Sequence, residues 1–131
     1  MNNKKVACVG SGVIGASWAI CFALKDLDVV VYDINDEVLS KAKTIIHDNL
    51  NILKENNVLD ETRLQEVENH IKLTTSMEEA VRGACFIQES APEHYDVKHQ
   101  VVKEIEKYCL DDAIIASSTS GLLIAARTTH L

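Results

Sequence analysis

Val6-Ala7-Cys8-Val9-Gly10-Ser11-Gly12-Val13-Ile14-Gly15 decides the fold of this chain. A short, wholly apolar run, as expected of a strand buried on both faces, passes into a G-x-G-x-x-G turn. An apolar stretch of helical character, Val13 to Leu24, follows. Each glycine has its own task in such a turn. Gly10 lets the chain turn tightly off the strand, Gly12 lets a pyrophosphate approach the backbone, and Gly15 lets the helix pack close to the strand. The first N–H groups of that helix and the positive end of its dipole then face the phosphates. A plain strand-to-helix turn also uses glycine. The strand before this one and the helix after it supply the context that favours the phosphate-binding reading.

Working outward, the apolar residues of Val13–Leu24 go nearly all round the helix, which predicts burial between the sheet and its neighbours. Trp18 and Phe22, four apart on one face, read as core. Val29 to Tyr32 forms a second strand and Asp33 ends it, about twenty residues after the glycine turn, the interval at which this kind of site places a ribose-binding carboxylate. Asp33 can accept bonds from both adenosine ribose hydroxyls and repels a 2′-phosphate. Ile34-Asn35-Asp36-Glu37 offers no cation to offset that repulsion, so NAD is expected over NADP. A helix cap or turn role for Asp33 is the alternative, but Asn35 or Asp36 can fill it.

Glu37 to about Asn56 reads as a long amphipathic helix, and Asp60 as the cap of a second, Glu61 to about Glu68. Ile71–Thr75 is a third strand. Ser76 caps a short helix, Met77–Arg82, with Glu79 placed to complete a capping box and Gly83 to end it. Cys85–Gln88 is a fourth strand that leads into Glu89-Ser90-Ala91-Pro92-Glu93, and a helix then runs to about Tyr108. Ala113–Ala116 is a fifth strand that leads into Ser117-Ser118-Thr119-Ser120-Gly121, and Leu122 to Ala126 begins a further helical turn or two. Strands alternating with helices predict an α/β fold, a doubly wound parallel sheet with right-handed crossovers. Gly10–Gly15, Asp33, Glu89–Glu93 and Ser117–Ser120 each follow a strand. They are therefore expected along one carboxyl edge, where open α/β sheets bind ligands.

Length and composition set bounds on this picture. The 131 residues make one domain's worth of chain, and 47% apolar with 25% charged residues is the balance of an ordinary globular protein. The formal charge of −7, with no basic run, argues against nucleic acid and anionic membranes as partners. Cys8, Cys21, Cys85 and Cys109 form no C-x-x-C pair and lie in apolar stretches. They read as small hydrophobes and as reduced thiols of a cytoplasmic protein, and no histidine sits at metal-ligand spacing from them. Met1 to Lys5 leads directly into the first strand, and no apolar run is long enough to span a bilayer.

Three stretches together resemble the NAD-binding domain of the 3-hydroxyacyl-CoA dehydrogenase family: Val9 to Trp18, Phe86 to Glu93 and Ala116 to Leu123. The wording Q-E-S-A-P-E and S-S-T-S-G-L-L is most similar to the L-carnitine dehydrogenase branch, with the L-gulonate dehydrogenase (lambda-crystallin) branch near. The resemblance covers essentially the whole chain. It implies a Rossmann-type domain over residues 1–131, truncated before its end and lacking the helical C-terminal domain. It implies that Gly10, Gly12, Val13, Ile14 and Gly15 hold the pyrophosphate side of NAD, and that Asp33 holds the adenosine ribose. Glu93 and Lys98 match positions near the nicotinamide ribose and the substrate mouth. Ser118 stands where much of the family has a cofactor-contacting asparagine, and Ser120 matches the active-site serine that bonds the substrate hydroxyl.

The chemistry so implied is reversible oxidation of a 3-hydroxy to a 3-keto group, on carnitine or an acyl-CoA, by a homodimer of the full-length protein. The family's catalytic histidine belongs to a G-H-x-x-N-P stretch that does not occur in these residues, and His130 does not match it. The expectation is a chain that binds NAD without turning over substrate. Other readings of the same residues stay open: a solvated turn for Glu89 and Glu93, a surface position for Lys98, a capping turn for Ser117–Ser120, a non-catalytic or crystallin-like module, and a flavin dinucleotide in place of NAD.

Overall fold

The structure, a computed structural model, describes residues 4–90, 95–117 and 123–124, without the side chains of 95–98 and 123–124. The elements run β1 (Lys5–Val9), α1 (Val13–Leu24), β2 (Asp28–Tyr32), α2 (Asp36–Glu55), α3 (Glu61–Asn69), β3 (Ile71–Thr74), α4 (Met77–Val81), β4 (Phe86–Glu89), α5 (Tyr95–Tyr108), β5 (Ile114–Ser117) and β6 (Leu123–Ile124). The strands form one sheet in the order β3-β2-β1-β4-β5-β6. β1 to β5 are parallel, as the strand and helix alternation predicts. Element ends agree with the sequence reading to within a residue or two. One element does not agree. Leu123 and Ile124 are not the start of a helix but an antiparallel strand, registered as Ile115↔Ile124 and Ala116↔Leu123. β5 is otherwise an open edge whose backbone groups need partners, and pairing supplies them where a lone helical turn would not.

Period-two alternation divides the core between the two faces of the sheet. Ala7, Val9, Val30, Ile87 and Ile115 point to one side and pack with Met77, Ala80, Val81, Ile105 and Cys109 of α4, α5 and the loop after it. Cys8, Val29 and Val31 point to the other, against Ala16, Ala19, Ile20 and Ala23 of α1, Ile46 and Leu50 of α2, and Leu64 and Val67 of α3. Burial of a leucine such as Leu50, which is 0% exposed, contributes about 1.5–3 kcal/mol. No helix among the described residues is long and apolar enough to cross a membrane.

The caps explain why the helices start where they do. Val38 N donates to Asn35 Oδ1 at 2.9 Å, Arg63 N to Asp60 Oδ1 at 2.7 Å, and Glu79 N to Ser76 Oγ at 3.1 Å. The capping box expected at Ser76 is only half made, because Ser76 N donates to Thr74 Oγ1 at 3.0 Å. The other orphan amide therefore has an acceptor before Glu79 can reach it. At the far end of α1, Arg63 of α3 donates to Leu24 O and to Asp26, both at 2.8 Å, which ties two helices together and holds the Asp26 carboxyl below its usual range.

The all-round burial expected for α1 is overturned. α2 and α3 pack against it, yet Val13, Ile14 and Trp18 are 66%, 59% and 39% exposed. Trp18 is therefore not core. It stacks on Phe22, which in turn meets Phe86 of β4. Cys21 shares the outward side and is exposed, as is Cys85, whereas Cys8 and Cys109 are buried. Among the described residues, helices pack on this side of the sheet over β1 to β3, and none covers the flank of α1 that carries Val13, Ile14 and Trp18.

Two outcomes test this packing. A Cβ on Gly15 would lie 1.9 Å from Gly10 O, whereas one on Gly12 would meet nothing within 4 Å. Gly15→Ala is expected to lose about 1–3 kcal/mol or more in urea unfolding, as overpacking does, and Gly12→Ala less than about 1 kcal/mol. Burial pushes the Cys8 thiol from 9.0 to about 12. Between those values the unfolded chain releases a proton that the folded chain keeps, so stability falls as pH rises. The decline of the urea midpoint from pH 8 to 10.5 is expected to be shallower in Cys8→Ala, and alkylation of the native chain at pH 8 to label Cys21 and Cys85 ahead of Cys8.

Candidate dinucleotide site

The carboxyl ends of four strands share one register row. Val9 pairs with Tyr32 and with Glu89, and Glu89 pairs with Ser117. This row brings the glycine turn, the end of β2 and the ends of β4 and β5 to one edge of the sheet. Gly10 leaves β1 with φ 101°, a left-handed value that favours glycine, and its N–H donates to Tyr32 O at 2.9 Å. The chain then turns into α1 at Gly12.

The start of α1 differs from those of its neighbours. Asn35, Asp60 and Ser76 each cap their helix by a side chain, whereas Gly12 provides no side-chain cap and no acidic residue lies in the first turn of α1. The first amides of a helix have no intrahelical acceptor. Here they meet a position where a Cβ would touch nothing. The arrangement is an opening lined by N–H groups and helix dipole, which is what a phosphate requires. Exposed apolar side chains border it: Val13 and Ile14 on the helix, and Ile34, 74% exposed, just past Asp33. Val13, Ile14, Ser17, Trp18 and Cys21 together line a shallow apolar groove running away from the opening along α1.

Asp33 lies beside this opening and is held by the glycine turn itself. Ser11 N donates to Asp33 Oδ2 at 2.9 Å and Ser11 Oγ to the same oxygen at 2.6 Å, while Ile34 N donates to Oδ1 at 2.7 Å. An ionised carboxylate has about four acceptor positions, so these three bonds leave room for one more, on Oδ1. That position on Oδ1 is available to a ribose hydroxyl. Ser11, 2% exposed, is the residue that holds Asp33 and that sequence reading passed over. Its signal was present, since a hydroxyl at the middle of G-x-G lies next to the strand that carries the acid.

For Glu89 the alternative of a solvated turn does not hold. A solvated turn residue would be exposed, but Glu89 is 0% exposed and accepts from Ser117 Oγ at 2.9 Å. It faces the α4 and α5 side, because Ile87 two residues earlier does. Glu93, Ser118 and Ser120 lie outside the described residues. Lys98 falls within α5, with its side chain outside the description. His99 is exposed, while His94 and His130 lie outside the described residues. Among the described residues no group of three His, Cys, Asp or Glu side chains is placed to hold a metal ion.

Residues 5–131 match the family described as 3-hydroxyacyl-CoA dehydrogenase, NAD binding domain. An L-carnitine dehydrogenase/betainyl-CoA thioesterase of Rhizobium sp is 39% identical over 119 residues, covering 91% of this chain and 23% of that protein. The L-carnitine dehydrogenase of Oceanobacillus iheyensis is 40% identical over 121 residues, covering 91% of this chain and 38% of that protein. The crystal structure of (S)-3-hydroxybutyryl-CoA dehydrogenase from Ralstonia eutropha superposes with a TM-score of 0.85 at 30% identity, over 91% of this chain and 42% of that one. The chain thus spans well under half the length of each. With the glycine turn, the acid after β2 and the parallel order of the sheet agreeing with that match, the chain belongs to the 3-hydroxyacyl-CoA dehydrogenase family, as its NAD-binding domain.

Proposed function

We propose that this chain is the cofactor-binding portion, residues 1–131, of an NAD-dependent dehydrogenase that oxidises a 3-hydroxy acid, carnitine or a 3-hydroxyacyl-CoA, to its 3-keto product. The observation that carries the reading is the uncapped start of α1, open at Gly12 and flanked by a fixed carboxylate. These residues fit a dinucleotide. The amides of Val13, Ile14 and Gly15 meet the pyrophosphate in place of side-chain cations, which suits a chain of net charge −7. Asp33 accepts from the adenosine ribose and disfavours a 2′-phosphate by repulsion between like charges. NAD, when bound, supplies the acceptor for the hydride that leaves the substrate carbon.

Within this reading Ser120 bonds the substrate hydroxyl and orients it. Ser118, Glu93 and Lys98 border the nicotinamide ribose and the mouth of the substrate site. The substrate preference stays between carnitine and acyl-CoA, since a carnitine dehydrogenase and a 3-hydroxybutyryl-CoA dehydrogenase are both similar to this chain. A homodimer of the whole enzyme and a cytoplasmic setting complete the proposal, the latter in keeping with cysteines that form no C-x-x-C pair. The 131 residues by themselves bind cofactor without oxidising substrate.

Titration calorimetry of this chain with NAD, NADP and FAD is expected to show NAD bound more tightly than the other two. Preference for NADP or FAD would overturn the cofactor assignment. Gly12→Ala, which leaves packing undisturbed, is expected to weaken NAD by about tenfold or more by filling the space above the helix amides. Absorbance at 340 nm with L-carnitine or 3-hydroxybutyryl-CoA is expected to show no turnover by the 131-residue chain.

A further inference from the structure

Three hydrogen bonds hold the Asp33 carboxylate at both of its oxygens. Ser11 supplies both its amide and its hydroxyl to one oxygen, Oδ2, at 2.9 and 2.6 Å, and Ile34 N holds Oδ1 at 2.7 Å. Ser11 is 2% exposed, so its hydroxyl has almost no access to water. The short O–H···O bond to a carboxylate belongs to the stronger, charge-assisted class. From this geometry we infer that the Ser11 hydroxyl is the specificity-determining positioning group of the site: by fixing Asp33 it sets the preference for NAD over NADP. The inference rests on the reading of this opening as an NAD site.

The physical reasoning follows from lone pairs and charge. With Oδ2 filled by Ser11, only Oδ1 has an acceptor position left, so Asp33 offers one oriented bond to a ribose hydroxyl. A carboxylate held at both oxygens cannot rotate away from an approaching phosphate. Its negative charge stays beside the ribose, where a second negative charge is repelled. Neighbouring residues offer no relief, for Asn35, Asp36 and Glu37 follow Ile34 without a cation. Removal of the hydroxyl leaves Oδ2 with the amide bond alone. The carboxylate can then swing, losing both its oriented bond to the 2′-hydroxyl and part of its repulsion of a 2′-phosphate. A purely structural role for Ser11 would instead weaken both cofactors alike.

The test is the ratio of NADP to NAD dissociation constants, measured by calorimetry on the 131-residue chain and its variants. Ser11→Ala and Ser11→Gly both keep the backbone amide, and Gly removes the hydroxyl with no added bulk. Each is expected to lower the ratio about tenfold, the scale of one hydrogen bond to a charged group, and Ser11→Thr to restore part of it. In an Asp33→Asn background, where the charge is gone, Ser11→Ala is expected to leave the ratio unchanged, as a double-mutant cycle requires if the two residues act together. Urea unfolding of each variant separates lost specificity from lost fold. An unchanged ratio in Ser11→Ala and Ser11→Gly, or an equal loss of both cofactors, overturns the inference alone. Failure of the unsubstituted chain to bind NAD overturns the proposed function and the inference with it.

Discussion

The close approach of Gly15 to Gly10 is the constraint on which the rest depends. With 1.9 Å between a would-be Cβ and a carbonyl oxygen, no other residue lets α1 begin where it does without a shift of strand or helix. That contact sets the angle at which α1 leaves β1. It thereby lays Ala16, Ala19 and Ala23, small enough for a helix to lie close, onto Cys8, Val29 and Val31 of the sheet. It also aims the first turn of α1 over the carboxyl edge rather than into the core. Packing and ligand geometry are therefore one problem here, solved by the same glycines.

A second consequence concerns charge. The chain is acidic, yet its NAD-binding family implies an anionic ligand. Backbone amides and a helix dipole resolve the conflict, since they present positive potential without a side-chain cation and without a counter-charge to desolvate. Asp33, held by Ser11, stands beside the same glycine turn. The exposed Val13, Ile14 and Ile34 add apolar surface at the rim of this opening, in keeping with a ligand that has flat rings at both ends.

Much of this was legible from residue order. The glycine turn, the wholly apolar β1 and the caps Asn35, Asp60 and Ser76 follow from local chemistry, because turn strain, two-sided burial and orphan amides act within a few residues of each other. The acid after β2 could be found by its interval from the turn. What misled was side-chain context. Trp18 and Cys21 look like core by composition, but whether a helix flank is covered depends on which elements lie across from it. Glu89 looks like a solvated turn residue, but its alternation with Ile87 turns it toward α4 and α5, where it is buried with Ser117. Leu123 and Ile124 carry no local mark of strand. Only the open edge of β5 makes them one.

The sequence by itself determined the strand and helix alternation, the glycine turn and the acid that ends β2, because each is written in short-range spacing. Tertiary structure decided the rest: which flank of α1 stays open, which glutamate is buried, and that Ser11 reaches Asp33 across 22 positions of chain. Those outcomes depend on distances between segments that meet only when parallel strands come into register. No local spacing rule encodes a meeting of that kind.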